Sequence, residues 1–278
     1  MTGPLTGAVR AELRKTFSTR LWWALGIPVL VLSVLYNLFG ALFAGVAADE
    51  APGGWAGTVL PLLSLAYTMV LTSVFAAVAG VVGAAGEFRH HTASTTYLLV
   101  PGRSRVLLAK AALGALLGAL YALAAAAVGV PAGVLGVGRL AEPALLLGLL
   151  GVGALVGALW GVLGTAVGVA LGHQVGALVS VLVYLLLVDR VLALLLGSSE
   201  IRSVAALAGF LPGKAADVAV YGFVADRLAL PGIGDRLVEE IASVPHPLPW
   251  WGALLVLVGW TGAGGALAWL LGARRDIT

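Results

Sequence analysis

The sequence contains no cysteine, which excludes disulfides, thiolate nucleophiles and cysteine-ligated metals. Charge is nearly as scarce. Only 10% of the 278 residues are Asp, Glu, Lys or Arg, against roughly 25% in soluble domains. The charge-free runs 21–48, 51–86, 111–138, 143–188 and 241–273 each exceed the ~20 residues that cross a bilayer core. With 60% hydrophobic residues and a mean hydropathy of +1.05, a chain of this length cannot hide its apolar side chains from water, so lipid is the expected solvent. Segments alternating every second residue are missing, which argues against transmembrane β-strands.

Further absences bear on chemistry. The chain has no Gly-x-x-x-x-Gly-Lys-Ser/Thr loop and so cannot bind and hydrolyse ATP by the phosphate-loop route. No His-Glu-x-x-His spacing occurs, and apart from His90-His91 the four histidines are scattered, so no metal site is expected. No histidine, acid and hydroxyl fall at a spacing that implies a catalytic triad, and the chain reads as a non-enzyme. Net charge is +3 with a pI near 9.4, but in a membrane protein the distribution of charge matters more than its sum, and no nucleic-acid partner is expected.

What is abundant is small residues. Thirty-nine glycines and many alanines suit helices that pack backbone to backbone in lipid. The pattern predicts an all-α polytopic membrane protein with six transmembrane helices and one domain over 1–278. An amphipathic interface helix is expected at 4–20, with Leu5, Val9, Leu13 and Phe17 at four-residue intervals as its apolar stripe. Spans are expected at about 22–45, 59–84, 107–131, 145–170, 175–196 and 250–272. The first run is too long for a typical cleaved signal and reads as a permanent span. Pro131 is assigned to the short turn after the third span, and the Asp189-Arg190 pair, near the outer end of the fifth, is expected to snorkel or to pair with itself. Residues 197–249 form the external segment, read as short helices lying against the membrane surface, including an amphipathic piece at 233–244. The fourth span carries Gly153, Gly157 and Gly161, then Gly164, Gly168 and Gly172, a flat groove for another helix of this chain or of a second subunit.

Charge counting orients this map. Arg10, Arg14, Lys15, Arg20, Arg89, Arg103, Arg105, Lys110, Arg274 and Arg275 share one side with Glu12, Glu87 and Asp276, a net +7, whereas the other side carries −4. The positive-inside rule then places both termini and the polar passage Glu87–Arg105 in the cytoplasm. A multi-pass protein of the cell inner (plasma) membrane is expected.

That polar passage carries a resemblance. Glu87-Phe88-Arg89-His90-His91-Thr92, then Thr95-Thr96, Pro101-Gly102-Arg103 and Ala109-Lys110, resembles the cytoplasmic segment between the second and third spans in permease subunits of ABC-2 type ABC transporters. The resemblance extends to the basic N-terminal helix, the six-span layout, Phe210-Leu211-Pro212-Gly213 in the last external segment and the Arg274-Arg275-Asp276 end. It implies a type V exporter-like transmembrane domain that pairs with a second permease copy or a related permease, sits in membrane lipid and rests on two cytoplasmic ATP-binding subunits. No cofactor is bound directly; ATP and Mg belong to the partner subunit. It further implies coupling through the segment 85–105, with Glu87, Arg89, His90, His91, Thr92 and Arg14 as polar contacts and Phe88 as an apolar plug, and short external helices that partly re-enter the membrane. Between the two permeases, Tyr36, Asn37, Tyr67, Thr68, Thr72, Ser73, Ser180 and Tyr184 are the polar candidates for a translocation path, each also suited to interhelical hydrogen bonding. A hydrophobic or amphipathic substrate fits the composition. A non-transporting structural or regulatory membrane subunit, and a membrane-embedded enzyme, are the alternatives.

Overall fold

The computed structural model describes residues 4–48, 56–89, 103–137, 142–228 and 234–274. Among them every regular element is helical. Helix α1, Pro4–Ser18, precedes α2, Leu21–Ala48; α3 is Ala56–Arg89, α4 is Arg103–Val137 and α5 is Pro143–Leu171. Helix α6 runs from Gln174 to Gly197 and contains a π-helical turn at Tyr184–Val188. The short α7, Arg202–Ala206, passes through a 3-10 turn into α8, Pro212–Arg227, followed by α9, Gly234–Ala242, and α10, Trp250–Arg274. Six of these, α2 to α6 and α10, are long and apolar enough to cross a membrane. The described residues thus form an all-α fold with six candidate membrane spans.

The bundle is built around α5, against which α3 and α4 pack most extensively. Its glycines allow that approach. A β-carbon added at Gly161 would collide with the carbonyl oxygen of Gly114, one at Gly118 with that of Gly157, and one at Gly164 with that of Ala77. Without a hydrophobic force between helices in lipid, such backbone-to-backbone contact supplies the packing energy. The glycine groove of α5 is therefore filled by helices of its own chain, while α6 and α10 are the spans least buried within the bundle.

Two expectations need correction, and the orientation of α1 is added to them. Pro131 lies inside α4, which continues to Val137; proline is tolerated within membrane helices because neighbouring groups can re-satisfy the freed backbone. On α1 the face turned to the bundle carries Ala8 and Glu12 together with Leu13 of the apolar stripe, which packs against α4 residues Leu113 and Leu117 and their neighbours, while Phe17 at the end of the stripe is exposed. The segment after α6 does not merely lie on a surface. The pair formed by Arg202–Phe210 and α8 bends by 86° at the break and is apolar enough together to be a broken span or a re-entrant loop. Nearly all of α8 is buried, and Trp260 Nε1 of α10 donates to the Phe210 carbonyl at 2.8 Å, fixing the bend against the last span.

Replacing Gly161 by valine is expected to cost about 1–3 kcal/mol through overpacking, read as a lower thermal midpoint in detergent. Gly259→Ala, where an added β-carbon meets nothing within 4 Å, is expected to leave the midpoint unchanged or slightly raised.

Candidate functional site

Two polar sites lie at different levels of the bundle. At the first, α1 is joined to α4 by a buried ion pair, Lys110 Nζ to Glu12 Oε1 at 3.2 Å. Both side chains are more than nine-tenths buried. Tyr121 of α4 donates from its hydroxyl to the Trp22 carbonyl at 2.8 Å, fastening the start of α2 to the same helix. Between α1, α3 and α4 lies a cavity of about 250 Å³ that reaches Thr165 and Gln174. Its α3 wall is Gly80, Gly83 and Gly86, and its polar edge is Glu12, Lys15 and Lys110.

This is also the end at which α3 stops and α4 starts. The backbone of α3 continues through Glu87, Phe88 and Arg89, so that part of the proposed coupling segment is helical. His90, His91 and Thr92 lie outside the described residues. Arg14 is exposed on α1, away from the buried Glu12. Lys110, counted on the positive side of the charge map, also helps to lock α1 in place.

The residues proposed for a translocation path fall into separate groups. Asn37 is a buried knot: its Nδ2 donates to the Ser33 carbonyl at 2.9 Å and to Thr68 Oγ1 at 3.3 Å, while Ser64 donates to its Oδ1 at 3.4 Å. Ser33 in turn donates to the Ala125 carbonyl at 2.6 Å, so three spans meet there. Thr72 satisfies itself by donating to Met69 O at 2.6 Å. Tyr36 and Tyr67 form an exposed aromatic pair with ring centroids 4.7 Å apart, and Ser180 is exposed on α6. Ser73 and Tyr184 belong to the second site.

That second site is built on Asp189, only 2% exposed. Its Oδ1 accepts from the Gly213 amide at 3.0 Å and from the Tyr184 hydroxyl at 3.3 Å. The expectation that Asp189 snorkels or pairs with Arg190 is thereby overturned. Gly213 sits in the first turn of α8, where unpaired amides and the helix dipole favour a carboxylate. One residue on, Lys214 is 1% exposed. It donates to Asp217 Oδ2 at 3.3 Å and to the Ala242 carbonyl of α9 at 2.9 Å. A buried ammonium is tolerated only when so matched. Asp189 and Asp217 border a smaller cavity, which Ser73 and Trp160 also line.

Sequence reasoning missed Glu12–Lys110, Lys214, Asp217 and Trp160 as site residues. For Lys214 and Asp217 a signal existed, a lysine and an aspartate at i,i+3 on one helix. Glu12 and Lys110 are too far apart in the chain to be paired without the fold.

No protein-family model and no curated protein matches this sequence. The class that the described residues define is an all-α fold with six candidate membrane spans.

Glu12→Ala, which removes the carboxylate that joins α1 to Lys110, is expected to cost about 1.5–3 kcal/mol of α1 docking, as for a hydrogen bond to a charged group. Faster trypsin cleavage after Arg14 and Lys15 would report it, and the charge swap Glu12→Lys with Lys110→Glu should restore protection. Lys214→Met is expected to cost about 3–5 kcal/mol by stranding Asp217, with much of the loss recovered in the double variant Lys214→Met/Asp217→Leu; a thermal-unfolding double-mutant cycle measures the coupling.

Proposed function

We propose that this chain is the membrane-spanning permease subunit of an ATP-driven exporter of the ABC-2 type, working with a second permease and two cytoplasmic ATP-binding subunits in the plasma membrane. The observation that carries the reading is the buried Glu12–Lys110 pair, which ties an N-terminal helix rigidly to α4 at the end of the bundle where the polar passage Glu87–Arg105 joins α3 to α4. A motor docking on that passage would push on α3 and α4 and, through the ion pair, on α1. The inside-positive charge balance puts this end in the cytoplasm, and the lack of a phosphate loop in the sequence assigns ATP and Mg to separate subunits.

Transport in this reading is alternating access. ATP-driven closure of the motor subunits shifts the permease between two states through contacts that differ in each. Phe88 and Glu87 are the residues assigned to that contact, and a hydrophobic or amphipathic molecule is the assigned cargo.

The expected outcome of gentle extraction is co-purification of an ATP-binding subunit. Phe88→Ala is expected to weaken its binding by about tenfold or more, as for an interface hot spot, and to abolish permease-dependent ATP hydrolysis. A chain that retains no ATPase under these conditions, or that turns over a substrate unaided, is not an exporter subunit.

A further inference from the structure

The cavity beside Asp189 has a volume of about 80 Å³ and is walled by α3, α5, α6 and the start of α8. Several times the ~10–15 Å³ that admits one water, it has room for a small polar group. Its lining holds Ser73 and Trp160, only 3% and 4% exposed. Ser73 Oγ and Trp160 Nε1 are, among the described residues, the buried side-chain polar atoms without a hydrogen-bond partner. Buried polar atoms are nearly always satisfied, and two orphans on different helices, both on side chains that line one cavity, point to an occupant that reaches them.

The charges around it indicate which kind. Asp217 is matched by Lys214 at 3.3 Å, and Asp189 by the Gly213 amide and the Tyr184 hydroxyl. With Arg190 on the rim, the formal charges of Asp189, Arg190, Lys214 and Asp217 cancel. An ionic guest would leave net charge in a site largely removed from water, which is costly, whereas a neutral guest would not. An indole N–H can only donate and a serine hydroxyl can donate or accept, so the guest must offer an acceptor. Leu186 and Arg190 line the cavity and are exposed on the outside of the bundle, which gives a tail on the guest a way into the lipid.

We propose that this cavity binds the neutral, acceptor-bearing head of an amphipathic molecule, such as an amide, ester or hydroxyl head, whose apolar tail lies in the bilayer beside α6. Only the further step, that such a molecule is the exported cargo, rests on the exporter reading.

The test uses the full chain, labelled with fluorotryptophan, in nanodiscs of ether-linked phosphatidylcholine, whose lipids lack ester carbonyls. The Trp160 fluorine resonance is assigned by its loss in Trp160→Phe or, should that variant not accumulate, by its displacement in Ser73→Ala. N-dodecylacetamide, dodecanoate and dodecylammonium share a tail and differ in head charge. The acetamide is expected to shift the Trp160 resonance saturably, the charged pair to bind at least about tenfold more weakly, and Ser73→Ala to weaken acetamide binding about fivefold, as for one lost hydrogen bond. A resonance already shifted in ester-lipid nanodiscs before any addition would support the site and name the bilayer's own lipid as its source. No saturable shift at Trp160, meaning a cavity that holds water only, would overturn the proposal, as would equal binding of the charged heads or indifference to Ser73→Ala. Because no ATP-binding subunit is present, a failed exporter assignment leaves this result standing. Loss of the site alone, with ATPase coupling intact, removes only the site.

Discussion

Helices dissolved in lipid gain little by hiding apolar surface from one another, because a lipid tail is as apolar as a leucine. They hold together where backbones come close enough for many small contacts to add up, and in this chain that happens along α5. Gly157 and Gly161 meet Gly118 and Gly114 of α4, and Gly164 meets Ala77 of α3, at separations that no side chain could share. The rest follows from this contact. With α3 and α4 seated on the glycine face of α5, the spans left with large lipid-facing surfaces are α6 and α10. Any second copy of this chain would meet the bundle there, or on the exposed side of α2 with Phe39, Phe43 and Val46, and not at the glycine groove.

A rigid three-helix core also sets where polar groups can be useful. Two levels of α3 carry a polar site: Gly80, Gly83 and Gly86 wall the cavity beside Glu12 and Lys110, and Tyr67 and Ser73, in the middle of the helix, wall the one beside Asp189. The same α5 reaches both, with Thr165 lining the first cavity and Trp160, earlier on the same helix, lining the second. A displacement of α3 relative to α5 at one cavity is therefore felt at the neighbouring one, since closely packed interiors transmit strain rather than absorb it.

How far the sequence revealed this architecture depended on whether the signal was local. Long uncharged runs and glycine spacing are local, and they led to the spans and to the groove on α5. Proline removes a backbone donor and so marks Pro131 as a break, yet helix α4 runs through it. The stripe Leu5–Phe17 marked α1 as amphipathic, but which face meets the bundle is decided by Lys110, ninety-eight residues from Glu12. Arg10, Arg14 and Lys15 stay exposed, and Glu12 is the one charged residue of α1 that turns inward. Most of the candidate path residues were legible as polar positions only; that Asn37 ties three spans together while Ser73 is left unbonded depends on which helices pass nearby.

Asp189 shows why the remainder stayed hidden. In a regular helix its position near the outer end of a span would favour escape to the interface. The π-helical turn at Tyr184–Val188 immediately before it inserts a wider turn, and such insertions rotate everything downstream and are frequent at functional sites. The carboxylate that results faces inward, meets the first turn of α8 and is held there by an amide of Gly213. A β-carbon at Gly213 would strike that carboxylate, so the Pro212-Gly213-Lys214 step serves three ends at once: proline starts the helix, glycine admits Asp189, and lysine neutralises Asp217. Buried ion pairs seldom add net stability over apolar packing. What they can do is make one docking of α8 against α6 and α9 far better than any shifted one, since a slip of one residue would strand both Lys214 and Asp189 without partners. The cavity beside them, with its two unbonded polar atoms, then has a fixed shape for a guest to fit.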